Sequence, residues 1–541
     1  MTAVKQIVGA SLVAALGAGA VLAAAPVTVT LGAAAKGHDV PSSLWGIFYE
    51  DINWAADGGL SVEALANPGF DWGVASVHGS NGRRAAQWTC GEDGWEYDFR
   101  DEGMARISIQ MGMPVHPNTA RHLRVEAFGT GLAGVRNRGL DGIFLKSGEP
   151  YRLQYDWREV RRVGLDYKLG AWTHETEEFT FKGENLTFDR GPYRVVIEKA
   201  GERWTLSVLV AGRRAVEFDN VSLKPTGPNL VRAGLRKDLV DMLAGLKPAF
   251  MRFPGGCILE EGDFQQWYDW RRTVGPRERR ECNRNRWGYW QTYDVGYHGG
   301  RKLSQHGSFP GEIGYSQVDD PVLKPKFYAM CEELMTKYRT DERILFWNLW
   351  NEPGNSHREQ ASVEPIREMF SLAWRIDPVQ PLAADVWYGE YGTTTNDPNR
   401  AQYVAGALSD IVSYHCYKGF EEHVRIIARL KRHFQRPMIN TEWLARTVHC
   451  DVFDNYPLFY LERIGTLNWG LVNGRYQTHE PWEFLWKRIE QNPRQASELD
   501  MTKWLHDLLR PSLRPYDPRE IDLIRRFNKQ ADRDFASCGG K

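Results

Sequence analysis

Two apolar runs that each end in a glutamate constrain this chain more than any other feature. Ile344-Leu-Phe-Trp-Asn-Leu-Trp-Asn-Glu-Pro353 stops abruptly at Asn351, Glu352 and Pro353. Pro437-Met-Ile-Asn-Thr-Glu-Trp443 does the same at Glu442, 442 − 352 = 90 residues downstream. Strands covered on both faces read as continuous apolar runs, and in parallel barrels the functional groups sit where such strands end. The two runs therefore predict a pair of strand-end carboxylates.

The chain around them alternates in the way an α/β barrel requires. Leu44 to Ile52 is a short apolar strand ending in Glu50 and Asp51, followed by a Gly58-Gly59 turn and a helical-looking Ser61 to Ala66. Pro248 to Gly256, Leu382 to Trp387, Asp410 to Tyr417 and Thr466 to Val472 read as further buried strands. Helical periodicity falls between them, over Leu235 to Leu246, Lys326 to Tyr338, Val363 to Arg375 and Glu421 to Phe434. Seven strands of a (β/α)₈ TIM barrel are found in this way. The missing one falls between Gly256 and Ile344, where residues 257 to 325 hold no convincing buried run.

Between about 95 and 225 the pattern changes to short alternating stretches, such as Tyr193 to Ile197 and Trp204 to Val210, separated by Gly, Asp and Asn. That pattern predicts an inserted antiparallel β-sandwich. The expected organisation is a signal peptide over 1–35, the first barrel strand and following segment over 41–90, the sandwich over 95–225, the remaining barrel over 230–515 and a polar helical tail over 516–541. Met501 to Leu509 and Pro518 to Phe527 are the helices expected to close the barrel.

With 541 residues there is ample chain for a large core, and 69 acidic against 68 basic residues leave no global field for nucleic acid or an anionic membrane. A neutral ligand fits, and the 21 tryptophans offer indole faces suited to sugar rings if they are not simply buried. Lys5, the apolar Ile7 to Ala25 run and the small residues at Ala23-Ala-Ala-Pro26 read as a secretory signal, with a membrane anchor as the alternative. A secreted or periplasmic location follows, with no membrane association after cleavage. The seven cysteines have neither CxxC nor paired spacing, so no disulfide framework is indicated. There is no HExxH, GxGxxG or phosphate loop, and no metal or cofactor is expected.

The motifs Gly46 to Asn53, Ala56 to Gly59, Gly234 to Leu239, Met251 to Cys257, Gly275 to Arg280 and Trp287 to Trp290 occur in this order. Over residues 41 to about 300 they make the chain resemble the family 51 glycoside hydrolases, the α-L-arabinofuranosidases that carry a carbohydrate-binding-module-like sandwich after the first barrel strand. From Asp319 onward, Arg343 to Trp347, Asn351 to Asn355 and Trp469 to Thr478 look more like family-5-type retaining β-glycanases of the same clan.

Both resemblances imply a retaining mechanism, with Glu352 as acid/base after the fourth strand and Glu442 as nucleophile after the seventh. Such a pair is expected about 5 to 5.5 Å apart, with the acid's pKa raised. For Glu352, desolvation beside Trp350 and Pro353 is the expected cause. The resemblance further implies a bond from Asn351 to the sugar 2-hydroxyl, and it places Glu50 and Arg252 along the arabinose subsite, where a structural salt bridge is the alternative. His415 and Tyr417 alternate on one face of their strand, aimed either at the pocket or into the core. Trp469 is a candidate floor for the sugar or a packing residue, and Cys257 a candidate contact or an inert buried thiol.

An arabinose-containing polysaccharide or oligosaccharide is the expected partner. An endo-acting β-glycanase such as a xylanase or mannanase, and a catalytically silent carbohydrate-binding protein, are the alternatives. The sandwich either binds glycan through exposed aromatics such as Trp157 or Trp204 or merely braces the barrel.

Overall fold

The computed structural model describes residues 44–49, 61–71, 94–139, 142–231, 234–253, 283–284, 290–291, 321–355, 359–387, 400–472, 481–510 and 512–537. The signal segment, Glu50, Cys257 and most of the stretch expected to hold the missing strand lie outside these residues.

The fold is mixed α/β, and its parallel strands follow one another in a single succession. Trp347–Asn348 pairs with Leu382–Ala383, and a lone parallel bridge from Val386 to Tyr414 carries the succession to Val412–His415. Next come Met438–Trp443, Gly465–Trp469, Trp45–Phe48 and Met251–Arg252, every pairing parallel. Among the described residues the first strand thus lies beside the last, as closure of a parallel sheet on itself demands. Among the described residues no strand joins Met251–Arg252 to Trp347–Asn348. A side-chain bond spans that interval instead, from Arg252 Nη2 to Asn351 Oδ1 at 2.8 Å.

Helices Lys237–Leu246, Leu323–Tyr338, Glu359–Ile376 and Phe420–Phe434 occupy the places where the periodicity predicts them. Phe420–Phe434 shows why: Glu421 and Glu422 stand in its first turn and Lys431, Arg432 and His433 in its last, matching the helix dipole, while Ile426, Ile427 and Leu430 are buried. Two helical expectations fail. Ser61 to Ala66 is irregular, with Val62 N–H donating to Gly234 O and Ala64 N–H to Leu223 O, because backbone partners outside the segment replace a helical ladder. Met501 to Leu509 forms turns. Its leucines are buried at Leu505, Leu508 and Leu509, and the N–H groups of Leu508 and Leu509 both donate to Leu471 O. The tail does form a long helix, Pro518–Ser537.

Residues 95–225 form two antiparallel sheets. One runs Trp95–Arg100, Leu132–Asn137, Arg203–Ala211, Tyr193–Ala200, Leu186–Asp189, and the other contains Ala105–Gln110, His122–Ala127, Ala215–Pro225, Pro150–Val163 and Asp166–Leu169, with Thr173–Thr180 also paired to Pro150–Val163. Both contribute to one apolar core, Val135, Val195 and Leu206 from the first meeting Val125, Leu153 and Val216 from the second. Neither indole named for glycan binding is exposed: Trp204 is buried, edge-on to Phe181 at 4.7 Å, and Trp157 is half-buried with Nε1 donating to Glu175 at 3.2 Å. Tyr97 and Phe99 are instead the exposed stacked pair, their ring centres 5.7 Å apart.

The second sheet buries a carboxylate, Glu217, which accepts from Arg124 Nε at 2.7 Å, pairs with Arg158, and lies 3.2 Å from His122 Nε2. Burial alone would raise its pKa, but the His122 and Arg158 bonds and nearby charges outweigh that and hold it at about 2. Its folded value lies below its unfolded value, so the stabilisation is present above about pH 4.5 and is lost as pH falls toward about 2. Glu217→Gln is expected to destabilise the fold by roughly 3 kcal/mol at pH 7 and by little near pH 2, measured by thermal melts across that range.

Candidate active site

The strand ends bring together groups far apart in sequence. Glu352 follows Trp347–Asn348 in a tight turn, where Asn355 N–H donates to Glu352 O and Glu352 itself takes φ +42°. A left-handed conformation at a residue other than glycine carries strain, and such residues concentrate at functional sites. Glu442 lies in Met438–Trp443, whose register is irregular on both neighbours. In a regular strand Thr441 and Glu442 would face opposite sides. The irregularity lets Thr441 Oγ1 reach Asp385 at 3.0 Å while Glu442 accepts from Arg252.

One carboxylate oxygen of Glu352, one of Glu442 and a ring nitrogen of His415 all lie within 4.8 Å of one another. Arg252 Nη1 donates to Glu442 Oε1 at 2.6 Å and Tyr417 OH to Glu442 Oε2 at 2.8 Å. His415 Nδ1 lies 2.7 Å from Glu352 Oε1 and 3.4 Å from Glu442 Oε2, and Asn355 Nδ2 donates to Glu352 Oε2 at 2.7 Å. Glu352, His415 and Glu442 have donor atoms of metal-ligand type, but the two carboxylates are engaged by donors and His415 by carboxylates, and we assign no metal to them.

Six of the nine site residues expected from the sequence are thus joined in one network: Glu352, Glu442, Arg252, His415, Tyr417 and, through Arg252, Asn351. Trp469 is buried against the network's flank, stacked on Phe48 at 6.4 Å and 6.1 Å from the Tyr417 ring, while Arg252 lies over Phe48 at 4.1 Å. It packs there as a core residue. Glu50 and Cys257 are outside the described residues.

The electrostatics depart from the expectation for Glu352. Burial does raise its pKa, but the bond and charge of His415 and the Asn355 amide outweigh it, so the carboxyl is held below its ordinary value. Glu442 is pushed up, by burial first and by the Glu352 carboxylate, against the pull of His415 and Arg252. His415 is buried, which opposes its charge, yet Glu442, Asp385 and Glu352 raise it to about 10. At neutral pH the imidazole is therefore protonated.

Asp385 escaped the sequence reading. It sits in the run Leu382 to Trp387, fully buried, and a buried charge in an apolar strand demands partners. That demand was the available signal. Asn348 Nδ2 donates to its Oδ2 at 2.7 Å, and Ser413 Oγ and Thr441 Oγ1 donate to its Oδ1.

A family model described as the α-L-arabinofuranosidase 1 domain matches residues 242–305, the stretch that carries Arg252 and Cys257. An extracellular exo-α-L-arabinofuranosidase of Streptomyces chartreusis is 29% identical over 59% of this chain and 36% of its own length. Arabidopsis thaliana α-L-arabinofuranosidase 1 is 26% identical over 48% of this chain and 38% of its own length. The chain thus spans little more than a third of these curated relatives. An arabinose-bound family 51 α-L-arabinofuranosidase superposes with TM-score 0.55 at 18% identity, covering 82% of this chain and 77% of that one. In sequence and in fold, the chain is similar to the α-L-arabinofuranosidases, family 51 among them, as its motifs indicate.

Proposed function

We propose that the chain is a retaining glycoside hydrolase, an α-L-arabinofuranosidase that releases arabinose from side chains of plant polysaccharides by double displacement. The observation that carries this is the approach of Glu352 and Glu442 oxygens to within 4.8 Å, the close spacing of retaining pairs, against the roughly 6.5 to 9.5 Å of inverting ones. The architecture we infer is a (β/α)₈ barrel, supported by the succession of parallel strands and by the superposition.

Glu442 is the nucleophile. Donors on both its oxygens, Arg252 and Tyr417, favour the ionised form and fix the attacking geometry. Its carboxylate attacks the anomeric carbon as the bond to the leaving oxygen breaks, and Glu352 gives that oxygen a proton. Water then attacks the same carbon, Glu352 takes its proton, and Glu442 is freed. The His415 imidazolium keeps a proton one hydrogen bond from Glu352 Oε1. Secretion is part of this reading, supported by the relative described as extracellular.

The assay is p-nitrophenyl α-L-arabinofuranoside beside branched and linear xylan, with the anomer of the first product followed by NMR. Arabinose released with retained configuration is expected. Release of oligosaccharides alone from linear xylan, or an inverted product, would overturn the reading.

A further inference from the structure

We propose that Asp385 is a positioning residue of the catalytic pair: its buried carboxylate is the shared counter-ion that holds Arg252 against Glu442 and His415 against Glu352. This rests on the glycoside hydrolase reading above for its consequence in catalysis, but not for its geometry.

Arg252 Nη1 and His415 Nε2 lie 3.4 Å apart. A guanidinium has only donors, and the protonated imidazole likewise, so these two groups repel at that distance. Asp385 Oδ2 resolves the conflict, sitting 3.3 Å from Arg252 Nη2 and 3.3 Å from His415 Nε2. It is the third carboxyl in a cluster with two cations, Arg252 and His415 against Glu352, Asp385 and Glu442. It is also the deepest of the three, with no exposed surface of its own. Its other donors are neutral: Asn348 on Oδ2, Ser413 and Thr441 on Oδ1. They come from three strand segments and moor the carboxylate without neutralising it. Asp385 therefore faces both cations at once, while Arg252 Nη1 reaches Glu442 and His415 Nδ1 reaches Glu352.

Among the described residues the groups facing His415 are Arg252 from the strand Met251–Arg252, Glu352 from the turn after Trp347–Asn348, Asp385 beyond Leu382–Ala383, and Glu442 from Met438–Trp443, whose Oε2 faces His415 and also accepts from Tyr417 OH. Removing the charge of Asp385 leaves Arg252 and His415 confronting one another. Their relief is for His415 to lose its proton or for Arg252 to swing away, and either disorders the pair.

The test is Asp385→Asn, which keeps shape and removes charge. The kcat on the aryl arabinofuranoside is expected to fall on the order of 10²-fold with KM changed little, since misplaced groups cost turnover more than binding. In ¹⁵N-histidine NMR, with the His415 signal assigned from a His415→Gln sample, the imidazolium is expected to titrate at least about one pH unit lower than in the parent chain. Thr441→Val, which removes one mooring hydroxyl at nearly constant volume, is expected to move both readouts in the same direction by less. It stands in if Asp385→Asn does not fold. A folded Asp385→Asn protein with parental kcat and parental His415 titration overturns the proposal, as does one that melts earlier with both readouts unmoved. The titration needs no substrate, so it judges the role of Asp385 even if the parent chain releases no arabinose, an outcome that would sink only the assignment of the reaction.

Discussion

Replacing Glu442 with alanine is expected to lower kcat for an aryl arabinofuranoside by on the order of 10⁴-fold or more, because a catalytic unit does not work in parts. The loss is chemical and not a failure to fold. Arg252 retains Asp385 and Asn351 as partners, and Tyr417 keeps its ring contact with Trp469. Adding azide should restore turnover, since the small anion fits the space that the carboxylate vacates, attacks the anomeric carbon from that side, and releases the aryl oxide. The product should be a glycosyl azide of inverted configuration. Glu352→Ala tests the complementary role: an aryl leaving group needs little protonation, so it should lose far less turnover on that substrate than on xylan, and azide should give the retained glycosyl azide.

This pair of variants decides a question that the resting electrostatics pose in reverse. Glu352 is held low by His415 and Glu442 is pushed up by burial, the opposite of what an acid and a nucleophile need during the first step. The arrangement is consistent with catalysis if the resting proton is kept on His415 and reaches Glu352 only once the sugar has expelled water and weakened that carboxylate's solvation. An inverted azide from Glu352→Ala would instead exchange the two roles.

The residues that sequence made legible are those whose neighbours along the chain carry the signal. Glu352 and Glu442 end apolar runs, and His415 and Tyr417 share a face by simple alternation, so their convergence follows from strand periodicity. Asp385 was not legible by that route, because its meaning depends on cations supplied from Met251–Arg252 and Val412–His415, strands distant in sequence. The lowered pKa of Glu352 was hidden for the same reason: Trp350 and Pro353 are visible beside it, while His415 comes from 63 positions away. Trp204 shows the limit from another side. Its alternating strand is readable, but whether an indole meets solvent or Phe181 depends on what the other sheet places opposite. Met501 to Leu509 has helix-forming residues, yet the carbonyl of Leu471 takes the N–H groups of Leu508 and Leu509, and tertiary pairing overrides propensity.

The largest stability effect is expected just past the end of the strand that carries Glu442, where Arg446 and Glu520 form a two-pronged pair with both bonds at 2.7 Å. Both side chains are almost entirely buried, at 1% and 2% exposure, and the Arg446 guanidinium also donates to Trp504 O at 3.3 Å and lies over the Tyr516 ring at 4.7 Å. The pair ties the tail helix Pro518–Ser537 to the segment immediately after Glu442. Truncating one partner leaves a charge that cannot reach water, so Glu520→Ala should cost about 3 to 5 kcal/mol. For a chain of this size that corresponds to a fall in Tm of roughly 3 to 5 °C at a fixed scan rate. Arabinofuranosidase activity at 25 °C should stay within about threefold, since the pair touches none of the groups around Glu442. A double replacement, Arg446→Met with Glu520→Leu, removes both charges while keeping the volume filled, and it should recover most of the lost Tm. Should the double variant melt as low as Glu520→Ala, lost packing and not the stranded charge is what the tail helix contributes at this junction.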